Sequence, residues 1–148
     1  MSHSFLMEAG KWSIEGHWID KGENPIKIKG RTLIAWNTDN WFKMVTKLVF
    51  PENEKKEDIT FQYKGRLEVG ESHYTYFLTQ TLLGQVEGEG LIGNNSIIQR
   101  YWVLSDRQRR HGFETYYRGD EQTYYYSGGI RTSISLISMM EATLTRQT

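Results

Sequence analysis

Apolar and polar residues alternate along most of this chain with a period of two, the pattern of strands that bury one face. Trp12, Ile14, Gly16 and Trp18 share one side of a first segment, opposed by Ser13, Glu15 and His17. After turn residues from Gly22 to Pro25, the same rhythm returns in Ile26, Ile28, Gly30, Thr32, Ile34 and Trp36. The stretch from Trp41 to Phe50 satisfies two periods: Trp41, Met44, Val45 and Leu48 fit a helical stripe, whereas Phe42, Met44, Leu48 and Phe50 fit a strand face. Its β-branched and aromatic content favours the strand. The charged run from Glu52 to Asp58 reads as a solvated loop. Beyond it lies the clearest alternation, with Ile59, Phe61, Tyr63, Gly65, Leu67 and Val69 set against Thr60, Gln62, Lys64, Arg66 and Glu68.

Turn chemistry then fixes registers. A two-residue turn at Gly70 and Glu71 pairs Leu67 with Tyr74, Gly65 with Tyr76 and Tyr63 with Leu78, which keeps one face apolar. A four-residue turn from Gly93 to Ser96 pairs Ile92 with Ile97, Gly90 with Gln99 and Gly88 with Tyr101. Asp106 and Arg107 turn the next hairpin and bring Gly112 beside Tyr101, whose ring is expected to lie between two glycines. Gly119 with Asp120, and Gly128 with Gly129, predict two further tight turns, followed by a long last strand from Ile130 to Arg146. A meander of about ten strands would curl or expose its edges unless it closed. The expected fold is therefore all-β: a single closed antiparallel up-and-down β-barrel spanning residues 1–148 as one domain, with no internal repeat.

Composition sharpens this picture. Nine Tyr, six Phe and five Trp suit the half-buried surface of a sheet, and fourteen Gly against two Pro suit its turns. Eighteen basic side chains balance eighteen acidic ones, so the field required for non-specific nucleic-acid binding or a polybasic membrane anchor is missing. Without cysteine there is no disulfide, thiol nucleophile or thiolate metal site. Phe5, Leu6 and Met7 form too short a run for a signal-peptide core, and no stretch approaches the roughly 18–20 apolar residues of a membrane-spanning helix. These features predict a cytoplasmic protein that inserts in no membrane.

Gly10, Lys11 and Trp12 open the first strand as G-x-W, and Arg146 falls late in the last one. That pair on a ten-stranded meander resembles the lipocalin/calycin superfamily of β-barrels. The resemblance implies that Trp12 plugs one end of the barrel and that Arg146 packs across it. Thr38, Asp39 and Asn40 come too early for the T-D-Y signature of the extracellular members, and no Tyr follows. The nearer likeness is to the intracellular fatty-acid-binding or nitrobindin-like branches. Such relatives bind small amphipathic molecules, and some bacterial ones bind haem or bilins; the sequence itself assigns no cofactor.

Alternation sorts the second half onto two faces. One face carries Gln99, Tyr101, Arg110, Glu114, Tyr116 and Tyr125, and because it is shared with Arg146 the resemblance implies that it is the interior; the other carries Glu89, Arg100, Trp102, His111, Phe113, Tyr124 and Tyr126. The expected ligand pocket holds Trp18, Gln99, Tyr101, Arg110, Glu114, Tyr116 and Tyr125. Arg110 would fix an anionic head, and the tyrosine rings would sandwich a flat body. This predicts a binder of a hydrophobic or amphipathic small molecule bearing a carboxylate, such as a fatty acid, tetrapyrrole or isoprenoid acid. One alternative is proton transfer or decarboxylation, with Glu114 as base and Arg110 and Tyr116 as oxyanion stabilisers. Another is a homodimer assembled on an outer aromatic face of Trp102, Phe113, Tyr124 and Tyr126, with Glu89 and Arg100 at its rim. His17, His73 and His111 are scattered, so no metal site is expected. No G-x-S-x-G elbow occurs, and Gly88 and Gly90 precede no helix that would complete a phosphate loop.

Overall fold

In the computed structural model, residues 2–68, 70 and 72–148 are described. They form ten strands: β1 Gly10–Asp20, β2 Ile26–Trp36, β3 Trp41–Val49, β4 Ile59–Leu67, β5 His73–Gln80, β6 Gly84–Ile92, β7 Ser96–Val103, β8 His111–Arg118, β9 Thr123–Arg131 and β10 Leu136–Gln147. Each strand pairs antiparallel with the next, and β1 pairs with β10, so the sheet closes into an up-and-down barrel with no free edge. The ambiguous stretch from Trp41 is a strand.

The registers of the first three hairpins considered are those expected. Leu67 faces Tyr74 and Gly65 faces Tyr76, with the Glu68 N–H bonded to the His73 carbonyl. Gly70 has φ +75°, while Val69 and Glu71 of that turn lie outside the described residues. Ile92 faces Ile97, and Gly112 faces Tyr101. Tyr101 stands between Gly88 and Gly112 in register, but its ring leans over only one of them. Its ring covers Gly112, where a Cβ would collide with it, while Gly88 is covered by the ring of Tyr76.

Two turns differ from expectation. The β8–β9 hairpin closes on the pair Arg118 and Tyr124, so its connection spans five residues, 119–123, with Gly119 N–H bonded to the Thr123 carbonyl at 2.8 Å. Gly128 and Gly129 lie inside β9 rather than in a turn, and β10 starts at Leu136 after a loop of residues 132–135. The physical reason is parity. A tight turn confined to Gly119 and Asp120 would set Glu114 opposite Tyr125, whereas the longer loop sets Glu114 opposite Gly128 and Tyr116 opposite Tyr126. Side chains alternate faces, so this slip turns Tyr124 and Tyr126 inwards and Tyr125 outwards.

The two ends of the barrel are closed by different groups. At one end Trp12 is fully buried, faces Arg146 across β1 and β10, and has the guanidinium 6.0 Å from its ring centroid. The segment before β1 folds over that end, burying His3, Ser4, Phe5 and Leu6. Phe5 stacks on Tyr116 at 4.5 Å and meets Trp12 edge-on at 5.3 Å, while the Trp36 indole N–H donates to the Leu6 carbonyl at 2.7 Å. At the other end Trp18 packs edge-on against Phe50, and Lys56 lies against both rings while bonding Asp20 at 2.6 Å.

Candidate functional site

The barrel interior is mostly hydrocarbon and ring, and near its middle sits a carboxylate. β8 carries Glu114 inwards, facing Gln99 of β7 on one side and Gly128 of β9 on the other. The Tyr126 hydroxyl donates to Oε2 at 2.7 Å, the Gln99 amide to Oε1 at 2.8 Å, and the Tyr63 hydroxyl bridges both oxygens at 3.0 and 3.3 Å. Tyr74 in turn donates to the Gln99 side-chain carbonyl, which fixes the amide with its N–H towards Glu114. Charge-assisted bonds of this kind contribute about 1.5–3 kcal/mol each and offset part of the cost of burying a carboxylate.

Burial wins in the balance at Glu114. Desolvation raises its pKa above the ordinary 4.5, and the bonds from Tyr126, Gln99 and Tyr63 pull in the opposite direction. Desolvation, followed by the nearby Glu114 charge, also raises the hydroxyls of Tyr63, Tyr74, Tyr76, Tyr101, Tyr116 and Tyr126. Among the described residues no Lys or Arg is buried. The interior is thus an acid among neutral phenols, without a cation.

Two cavities flank this network, each of about 20 Å³. Glu114, Phe61, Tyr126 and Met140 line both. The first extends to the Thr32 and Thr46 hydroxyls, which bond each other at 2.7 Å, and the second to Trp18 and Tyr101. A cavity of that size holds a water-sized group.

Of the residues singled out from sequence, Gln99, Tyr101, Glu114 and Tyr116 meet in the interior, and Trp18 reaches the second cavity. Trp12 and Arg146 lie together at the plugged end. Tyr125 is on the outer wall, 52% exposed, for the parity reason given above. Arg110 is a second correction. It sits in the turn before β8, where its guanidinium bonds Asp106 at 2.9 and 3.2 Å and holds that carboxyl below its usual range. An acid four residues earlier captures the cation before it can turn inwards. The sequence reading passed over Tyr63, Tyr74 and Tyr126. The first two were legible in the alternation of their strands; Tyr126 was hidden by the loop length.

On the outer wall Arg100 pairs with Glu89 at 3.0 Å in an exposed cross-strand contact, and Trp102 faces His111. Trp102 and Phe113 are exposed, but Tyr124 and Tyr126 do not join them; the other exposed apolar side chains of these strands are Phe77, Leu91 and Ile98.

No protein-family model matches the chain, and no curated protein matches its sequence. Its architecture does have a solved counterpart. The crystal structure of Rv2717c from M. tuberculosis superposes with a TM-score of 0.72, covering 95% of this chain and 92% of that one at 12% identity. At that identity the likeness is one of fold: a closed ten-stranded antiparallel barrel.

Proposed function

We propose that this protein binds a small molecule inside its barrel, at the Glu114 network. The observation that carries the reading is a buried carboxylate with no buried Lys or Arg among the described residues, facing two cavities through the same few side chains. A carboxylate held only by hydroxyls and an amide in a dry interior is expensive to maintain, and such groups concentrate at functional sites. The calycin-like features, a G-x-W strand and a late Arg on a ten-stranded meander, support the same reading. The flat or amphipathic body expected from the sequence still suits the ring-lined walls. A carboxylate head loses its support, because Arg110 is engaged by Asp106 outside the cavities. A fatty acid or tetrapyrrole far exceeds 20 Å³, so the fitting ligand is small or displaces Phe61 and Met140. The proton-transfer alternative weakens for the same reason, since Glu114 and Arg110 do not share a pocket.

The test is an amide NMR screen of purified protein against small fragments of all three charge types. The expected result is a compound whose perturbations cluster on Gln99, Glu114 and Gly128. Fragments that perturb only the outer wall, or nothing, overturn the reading.

A homodimer is the second reading. Phe77, Leu91, Trp102 and Phe113 form an exposed apolar band on β5 to β8, crossed by the Glu89–Arg100 pair. A patch carrying both charges is self-complementary under a two-fold axis. Sedimentation should give a dimer that Phe113→Ser converts to monomer; a wild-type monomer at high concentration removes this reading.

A further inference from the structure

We infer that the interior site is made for a cationic nitrogen: a small ammonium or primary amine whose N–H groups donate to Glu114 and whose carbon lies among the rings of Phe61, Tyr63, Tyr116 and Tyr126. The inference rests on the binding function proposed above and names the class of ligand.

Four observations converge on it. The first is charge. Glu114 is the only acidic side chain among the buried described residues, and no Lys or Arg accompanies it. An anionic ligand would set two like charges together in a low dielectric, whereas a cation supplies the missing partner.

The second is the count of donors and acceptors. An ionised carboxylate offers about four acceptor sites. Three donors reach this one: Tyr63, Gln99 and Tyr126. An acceptor site is left over, on the Oε2 side that Tyr126 alone occupies fully. Tyr63 and Tyr126 each spend their single O–H on Glu114, so towards a ligand their oxygens can only accept. The Thr32–Thr46 pair spends one of its two O–H groups internally and offers lone pairs and one O–H to the same cavity. The acceptor left over on Glu114 itself selects a ligand that brings an N–H.

The third is the walls. Phe61 and Tyr63 stack with planes 6° apart, and Tyr116 meets Tyr126 edge-on at 5.1 Å. With Ile14, Met140 and Leu144 these rings make an apolar lining for the carbon of the ligand. The fourth is size. A cavity of about 20 Å³ takes an ammonium head, which is the size of a water molecule.

Protons compete for this site. The titratable groups facing Glu114 are Tyr63 from β4, Tyr74 and Tyr76 from β5, Tyr101 from β7, Tyr116 from β8 and Tyr126 from β9. All are phenols raised above their ordinary value, so Glu114 is the group among them whose proton competes with the amine. Below its midpoint, amine affinity should fall about tenfold per pH unit, because ionising the carboxyl is linked to binding.

The experiment is an NMR titration of the full chain with methylammonium and propylammonium, against propionate and propan-1-ol as size-matched controls. The expected result is perturbation at Gln99, Glu114 and Gly128 by the ammonium salts, weakened tenfold or more in Glu114→Gln. As a readout on the wild type alone, the ¹³C carboxyl titration of Glu114 should move to lower pH when methylammonium is present. Propionate or propan-1-ol binding at these residues as tightly as propylammonium, or a Glu114 titration unmoved by methylammonium, overturns the cation inference and leaves the binding function standing. No interior perturbation by any probe, in the fragment screen as well, overturns both.

Discussion

Glu114 shows how one side chain couples the interior to pH. Its folded pKa lies above the ordinary 4.5 because burial penalises the charge more than Tyr126, Gln99 and Tyr63 relieve it. The folded state therefore holds this proton more tightly than the unfolded chain does. The contribution to stability is complete below pH 4.5 and is lost as pH climbs through the raised folded value. Glutamine has nearly the same shape and no proton to lose. Relative to wild type, Glu114→Gln should thus gain thermal stability as pH rises above 4.5 and through the raised folded value. Melting curves at several pH values check this, and a difference in Tm that stays constant would contradict it.

Among the strands, the wall holds its curvature where backbones approach closely. Gly16 of β1 faces Ala142 of β10, and a Cβ at Gly16 would run into the Glu141 carbonyl and the Ala142 Cα. Both are main-chain atoms in a fully paired ladder, so they cannot swing aside as a side chain can. Gly16→Ala should destabilise the barrel by about 1–3 kcal/mol, the usual cost of forced overpacking. Gly129→Ala is the control: a Cβ there meets nothing nearer than the Ser138 carbonyl at 3.6 Å, an ordinary contact. Chemical denaturation of the two variants should separate them clearly; equal losses would mean that the β1–β10 seam can spread.

For the molecule as a whole, closure of the ladder still leaves two open ends, and the segment before β1 closes one of them. Phe5 is 1% exposed and touches Trp12, Tyr116 and Tyr124. His3 holds the segment down, its ring nitrogens 2.6 Å from the Tyr124 hydroxyl and 2.7 Å from the Gly93 carbonyl. Burial lowers the His3 pKa, so the neutral ring belongs to the folded state. If the segment unfolds with the barrel, Phe5→Ala should cost about 3 kcal/mol in a single cooperative transition, as for a core phenylalanine. A loss well below about 1 kcal/mol would show instead that the plug detaches on its own.

Period-two alternation and turn residues were enough to read the strand count, the closure and most registers, because a half-buried strand must show its faces and a short hairpin ties register to loop length. The same local signals put Gln99, Tyr101, Glu114 and Tyr116 on one common face, which the calycin resemblance turned inwards. They failed where a connection had more than one way to be closed. Gly119 and Asp120 fit a tight turn as well as a longer loop, and only the pairing of β9 between β8 and β10 decided for the loop, which carried Tyr126 in and Tyr125 out. Nor does local pattern say where a long side chain ends. Arg110 was captured by Asp106, and Phe5 and Leu6, three residues' worth of hydrophobic signal with Met7, found their cover only in a finished barrel. What the sequence by itself determined is the barrel and an acid facing into it. Tertiary structure decided that no Lys or Arg among the described residues shares that interior, because charge pairing depends on which groups reach each other first in space.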